Sequence, residues 1–344
     1  MSVPSSTKRG PAAWASAFTG FYPASAHDLS GLDPLARFLY AARSVILVIS
    51  AQAAVIAGLL AATDRRFEVV PFALVFVGYV VLHAISNLSN DYFGYRRGHD
   101  TEDSPRRRYT LHPVASGAFS MRFLATGLAV LAAVAVAIGV YFVVLRGWGA
   151  LVLAVVGAVL LYAYDAAPRA LKELGLGELA AFVVWGPLMI GGGYYVITGH
   201  WSGDAFLASV PYGLGVMSIL VGKHIDQRAF DISQSQHTLP VLLGARGARV
   251  LNQAVLVLMY VLTAEAIVAG ALSPFLAVVV LAVPRAVRAL RVMAVPAPAA
   301  PPAGYVGWPL WYHRVCLIHN RAFGWLFILG LAVGAIWPAA SIGK

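Results

Sequence analysis

The chain is predicted to be all-α, a polytopic membrane protein with nine transmembrane helices bundled around a central cavity, and three observations predict it. Hydrophobic residues make up 60% of the 344 and charged residues only 12%, with a mean hydropathy of +0.75; soluble domains average about 45–50% apolar and about 25% charged. Apolar runs of the roughly 20 residues needed to cross a bilayer recur along the chain. The charged residues gather in short segments between those runs.

The runs fall near 37–62, 69–90, 120–145, 149–165, 177–198, 205–224, 248–271, 274–294 and 316–337. Residues 1–33, rich in Ser, Pro, Gly and Ala, lack the compact apolar core of a cleavable signal peptide and read as a cytoplasmic tail, with a short interfacial helix around Trp14 to Tyr22. Residues 34–344 read as one transmembrane domain, with 295–309 a Pro/Ala/Gly linker inside it.

Basic residues follow the even-numbered runs: Arg96, Arg97 and Arg106 to Arg108 after the second, Arg169 and Lys172 after the fourth, Arg228, Arg246 and Arg249 after the sixth, and Arg288, Arg291, Arg314 and Arg321 around the eighth and ninth. The odd-numbered exits offer little beyond Arg65, Arg66 and Arg146. Excess Lys/Arg marks the cytoplasmic side, which predicts a cell (inner) membrane protein with its N-terminus inside and its C-terminus outside. The net charge of +10 is therefore a topology signal, and no nucleic-acid partner is expected, because no soluble basic face exists to bind one. Cys316 is the only cysteine, which excludes an intrachain disulfide and a cysteine-based metal site.

Three loops on this face carry most of the carboxylates. The first segment reads SNLSNDYFGYRRGHDTEDSPRRR. Asn87, Asn90 and Asp91 occupy adjoining faces of terminal helical turns, and Asp100, Glu102 and Asp103 follow in a loop. Hard cations such as magnesium take oxygen ligands, often one or two carboxylates with substrate phosphates and water, while Arg106 to Arg108 suit phosphate oxygens. A solvated, charge-balanced loop is the plainer alternative, but Asn90 and Asp91 at the inner end of a span are costly unless they serve a function. The segment VGKHIDQRAFDISQSQHTLPVLLG follows the sixth run. On a continuing helix Lys223, Asp226 and Gln227 are neighbours, whereas Asp226 and Asp231 stand about 140° apart, so both face one metal cluster only if the helix bends or ends between them. In YAYDAAPRALKELGLGE, Pro168 stops the fourth helix and leaves Tyr162, Tyr164 and Asp165 at the bundle mouth and Lys172 in the loop. Lysine suits a diphosphate and tyrosine faces suit a developing carbocation, though both are also common interface anchors.

Together these segments resemble the UbiA superfamily of intramembrane aromatic prenyltransferases, and NDYF followed by RRGHDTED is similar to the branch that prenylates dihydroxynaphthoate on the way to menaquinone. The resemblance implies transfer of a prenyl chain from a polyprenyl diphosphate to an aromatic or lipid-like acceptor within the bilayer, with active-site loops at 91–119 and 225–247. It implies two magnesium ions bridging the diphosphate, with Asn87, Asn90, Asp91, Asp100, Asp226 and Asp231 around them. Lys172 and Arg106 would bind diphosphate oxygens, and Arg43 matches a basic position of the branch. Substrate contacts are further expected from Lys223 and Tyr162, and catalytic roles from Asp91, Asp231, Tyr164 and Lys172. Two departures stand out: Gly94 and Gln227 occupy positions where the family's motifs carry aspartate. Either Asp103 or Glu102 compensates in a rearranged metal shell, or the acceptor differs from a quinone precursor.

Of the remaining polar or small residues, Gly191 to Gly193 either permit close helix packing, the reading expected here, or leave a gap for the prenyl tail, and Tyr194 and Tyr195 line either the pocket or the outer interface. His319, Asn320 and Arg321 either touch the acceptor or cap the last span; a cap or an interface position is the reading expected here. A secondary transporter is the competing class, but its substrate site would lie at the midplane, and these acidic residues gather at one face.

Overall fold

The computed structural model describes residues 10–19, 29–98, 104–105, 109–305 and 307–337. Among them there is helix and no strand. The interfacial helix expected near Trp14 forms as α1, Pro11–Thr19. Asp33 fastens it, accepting the Trp14 indole N–H at 3.0 Å. The same carboxylate caps α2, Pro34–Ala41, by accepting the Ala36 N–H at 3.0 Å, with Pro34 at a position where no N–H is needed.

The first apolar run, expected as one span over 37–62, is broken. Its long part, α3, runs Ser44–Thr63. Between α2 and α3, Arg43 adopts a left-handed backbone, φ 54° and ψ 50°, which side-chain-bearing residues rarely do. Polar side chains take up the backbone groups the break frees: Asn87 donates to the Ala42 carbonyl at 2.8 Å and Ser44 to that of Leu39 at 2.7 Å.

Next come α4, Val69–Arg96, α5, Met121–Arg146, and α6, Trp148–Asp165. Ser120 caps α5 through the Phe123 N–H, and Gly147, at φ 66°, turns the chain between α5 and α6. Then follow α7, Gly177–Thr198, and α8, Gly203–Ser233. Pro187 removes a donor from the ladder of α7, which widens into a π-helical stretch over Val184–Gly191. There α7 crosses α8 at small residues: a Cβ on Gly213 would lie 2.8 Å from the Phe182 carbonyl and 2.9 Å from the Gly186 Cα. Close backbone approach of this kind replaces the missing hydrophobic drive between helices in lipid. The expected packing role of Gly191 also holds, since a Cβ there would meet the Phe206 ring at 2.6 Å.

After α9, Leu239–Val268, the expected eighth span, 274–294, departs from a uniform helix. It is a 3-10 run, Pro274–Ala282, followed by α10, Val283–Ala294. Pro284 has no N–H to donate, so the α-helical ladder restarts there. The composite rod lies along α11, Tyr312–Ile336, in the opposite direction. At one end Ser273 and Leu276 press on Gly334 and Gly330; at the other the Tyr312 hydroxyl donates to the Val295 carbonyl at 2.9 Å.

Among the described residues, eight helices are long and apolar enough to cross a membrane: α3 to α9 and α11. The protein is thus a multi-pass membrane protein, and the eighth expected span is a composite. Helix α8 is central, with 72% of its most apolar window buried, whereas α5 buries 6% and turns its sides to lipid.

Candidate active site

Helices α4 and α8 have 28 and 31 residues, or about 42 and 46 Å at 1.5 Å per residue. Both overshoot an apolar layer of about 30 Å and carry their polar last turns onto one face. There the loops after α4, α6 and α8 are laced together. Arg97 donates to the Ala166 and Ala167 carbonyls and, at 3.2 Å, to Glu173 Oε1. The Glu173 carbonyl in turn accepts the His237 N–H at 2.9 Å. The loop after α4 is also held from the other side, where Arg37 of α2 donates to the Ala118 carbonyl at 2.8 Å and Tyr40 meets Thr110 at 2.7 Å. Tyr109 reaches α8, accepting from Gln227 Nε2 at 3.4 Å.

Beneath the lacing lies a set of buried charges. Asp91, with no exposed surface, pairs with Arg43. Asp165, also buried, accepts Asn90 Nδ2 at 3.0 Å and pairs with Lys172 Nζ at 2.6 Å. Glu178, at the start of α7, sets Oε1 at 2.7 Å from His224 Nδ1 and accepts the Leu239 N–H at 3.3 Å. Its other oxygen is buried without a partner. Asp231, 4% exposed, accepts the Thr238 hydroxyl at 3.0 Å and lies within electrostatic reach of His224, Lys223 and Glu178. Tyr164 joins the two halves, within electrostatic reach of Arg43, Asp165 and Glu178. The pairs Arg43–Asp91, Lys172–Asp165 and His224–Glu178 thus lie with Asp231 around the polar ends of α4 and α8.

Asp91, Asn90, Arg43, Tyr164, Lys172, Lys223 and Asp231 all belong to this set. Asn87 stands behind it, bracing the break at Arg43. Asp226 points elsewhere: α8 continues unbroken to Ser233, and the Asp226 carboxylate accepts the Tyr312 and His313 N–H groups at 3.0 and 2.9 Å, at the start of α11. Tyr162 is 58% exposed on the outer side of α6, two residues and about 200° from Tyr164. Asp100, Glu102, Asp103 and Arg106 lie outside the described residues. Among the described residues no three of His, Cys, Asp and Glu gather closely enough to hold a metal ion.

A model of the UbiA prenyltransferase family matches residues 51–306. The chain belongs to that family. As a UbiA-family chain it is 28% identical over 202 residues to the 1,4-dihydroxy-2-naphthoate octaprenyltransferase of Bacillus subtilis, covering 59% of this chain and 64% of that protein. It is 31% identical over 198 residues to the 2-carboxy-1,4-naphthoquinone phytyltransferase of Synechocystis, covering 56% and 61%. The chain thus spans less than two thirds of the length of these curated relatives. Its fold is that of solved UbiA homologues. The Aeropyrum pernix homologue superposes with TM-score 0.59 at 19% identity, over 82% of this chain and 96% of that one. The Archaeoglobus fulgidus homologue bound to GPP and Mg2+ gives 0.57 at 15%, over 86% and 99%.

Two features of the structure have no signature in the motifs. Glu178 and its partner His224 stand in the quoted segments without an assigned metal or phosphate role, although Glu178 is the one charged residue in the apolar stretch 177–198, itself a signal of function. His319 and Asn320, expected as caps or interface residues, are instead fully buried in α11. His319 Nε2 meets the Tyr260 hydroxyl at 2.8 Å, and Asn320 wedges against Gly215, where a Cβ would lie 1.9 Å from its Oδ1. Tyr194 and Tyr195 sit at the opposite end of the bundle, both buried and bonded to Asp64 and to the Arg146 carbonyl.

Proposed function

We propose that this chain is a membrane prenyltransferase that moves a prenyl chain from a polyprenyl diphosphate to an aromatic, quinone-precursor-like acceptor and releases diphosphate. The observation that carries the reading is the buried charge set joining Asp91 to Asp231, in a chain of this family. Its curated relatives are named for naphthoate and naphthoquinone acceptors. The face bearing the set is proposed to be cytoplasmic.

A divalent cation fits the donors present, which are carboxylate and amide oxygens, and the unpartnered Glu178 oxygen is a buried acceptor facing no protein donor. Asp91, Asn90 and Asp231, with Asp100 and Asp103 from the first loop, would hold it. When bound, such an ion offsets the charge of the diphosphate and favours its departure. Asp226 is proposed to position α11 instead, since both its oxygens are engaged there.

Around that centre the protein groups have separable tasks. Arg43 and Lys172 are cations already held in place by Asp91 and Asp165, so they meet diphosphate oxygens with little further ordering. Asn90 keeps Asp165 turned toward Lys172. Tyr164 offers a ring face against positive charge growing at the allylic carbon. The apolar helices below exclude water, which would otherwise capture that carbon as the alcohol. Purified protein in nanodiscs, given a polyprenyl diphosphate and dihydroxynaphthoate, is expected to release pyrophosphate with magnesium and not with EDTA. Undiminished release from Asp91→Ala or Asp231→Ala would remove this assignment.

A further inference from the structure

No aspartate or glutamate occurs after Glu265, yet Arg285, Arg288, Arg291, Arg314 and Arg321 follow it. Three of these line up on α10. Arg285, Arg288 and Arg291 recur every third residue on its exposed side, while Ala286, Ala289 and Met293 pack inward. None of the three enters an ion pair among the described residues. Arg288 and Arg291 form the wall of a groove of about 440 Å³, completed by Pro284, Val287, Val295 and Trp311. The Trp311 indole N–H has no hydrogen-bond partner. Beside it Tyr305, Trp308 and Trp311 form an aromatic cluster, and Arg314 lies 4.8 Å over the Tyr305 ring.

We propose that this groove binds the phosphate headgroup of an anionic membrane phospholipid. Three properties point to a lipid in particular. Its depth is the boundary between apolar layer and water, where aromatic side chains concentrate and where α10 ends. No carboxylate among the described residues pairs with its arginines, which leaves them open to an anion from outside, and guanidinium pairs grip phosphate oxygens in forked geometry. Its remaining walls, Val287, Val295 and Pro284, are apolar and suit the first segment of an acyl chain. The site lies on α10 and the loop before α11, apart from the charge set between α4 and α8, and stands whether or not the prenyl-transfer reading does.

The test is native mass spectrometry of the full chain released from nanodiscs containing phosphatidylglycerol and phosphatidylcholine. The wild type is expected to retain phosphatidylglycerol selectively. Arg288→Gln with Arg291→Gln is expected to retain about thirtyfold less, at about 1 kcal/mol for each of the two basic residues near a charged membrane surface. Arg65→Gln with Arg66→Gln removes equal charge from the opposite end and is expected to change nothing. Retention in the groove double variant equal to wild type, or an equal loss in the control, would overturn the proposal. Millimolar inorganic phosphate is expected to leave the bound lipid in place; full displacement would mean that a free anion suffices and would sink the lipid assignment.

Discussion

Arg43 holds a backbone conformation that costs about 1–3 kcal/mol for a residue with a side chain, and from there its guanidinium pairs with buried Asp91. A carboxylate with no exposed surface needs a counter-charge, and removing one partner of a buried pair costs about 3–5 kcal/mol. Arg43 is itself 23% exposed, so Arg43→Gln is expected to destabilise at the lower end, about 3 kcal/mol, and to lower pyrophosphate release about 100-fold through the lost cation. A thermal melt and a turnover assay in the same detergent check both; an Arg43→Gln protein with wild-type activity would remove Arg43 from diphosphate binding. The two aspartates of α8 separate more sharply. Asp226→Asn is expected to lower the melting temperature, since it weakens a bond at the start of α11, while leaving most activity. Asp231→Asn is expected to reverse that pattern. Asp91, Asn90 and Asp231 stood out because each is polar where an apolar helix ends, and Lys172 because it lies in the loop that Pro168 opens after α6. Asp226 and Tyr162 misled because spacing gives the angle around a helix and says nothing about which neighbour stands at that angle. Here the neighbours are the N-terminus of α11 and the lipid-facing side of α6.

At the scale of elements, the runs of apolar sequence found the helices, and the errors fell where polar side chains or proline override periodicity. The break before α3 depends on Asn87 from another helix, forty-odd residues away in sequence, and so has no local signature. The composite before α11 does have one in Pro284, but Arg288 and Arg291 just after it read as a topology signal and not as a change of helix type. The crossing of α7 and α8 shows how small residues act as an element-level constraint. Gly213→Val is expected to force the helices apart and cost about 1–3 kcal/mol, as overpacking does, because the Phe182 carbonyl and Gly186 backbone cannot yield as a side-chain tip would. Gly203→Ala is the control: nothing lies within 4 Å of its added carbon, and better helix propensity makes it neutral or slightly stabilising. Equal melting of the two variants would show that the crossing tolerates separation.

For the whole molecule the deciding quantity is the distribution of charge between its two ends. Arg96, Arg97, Arg169, Lys172, Arg228 and Arg246 all lie at the end that bears the buried carboxylates, and Arg65, Arg66 and Arg146 at the other. Glu68 pairs with Arg146 at 2.7 Å and so removes part of the charge from the sparser end. Orientation by Lys/Arg bias is then expected to put the charge set, and with it any soluble diphosphate product of the proposed reaction, on the cytoplasmic side. The single native cysteine is buried in α11, which makes the chain its own background for labelling. Arg169→Cys, exposed in the loop after α6, and His200→Cys, exposed after α7, each report one end. With a membrane-impermeant maleimide on intact cells, His200→Cys is expected to react and Arg169→Cys to react only after permeabilisation. The opposite result would place the diphosphate site outside the cell, where a cytoplasmic prenyl donor could not reach it, and the proposed reaction would fail on access alone, whatever the geometry of Asp91 and Asp231.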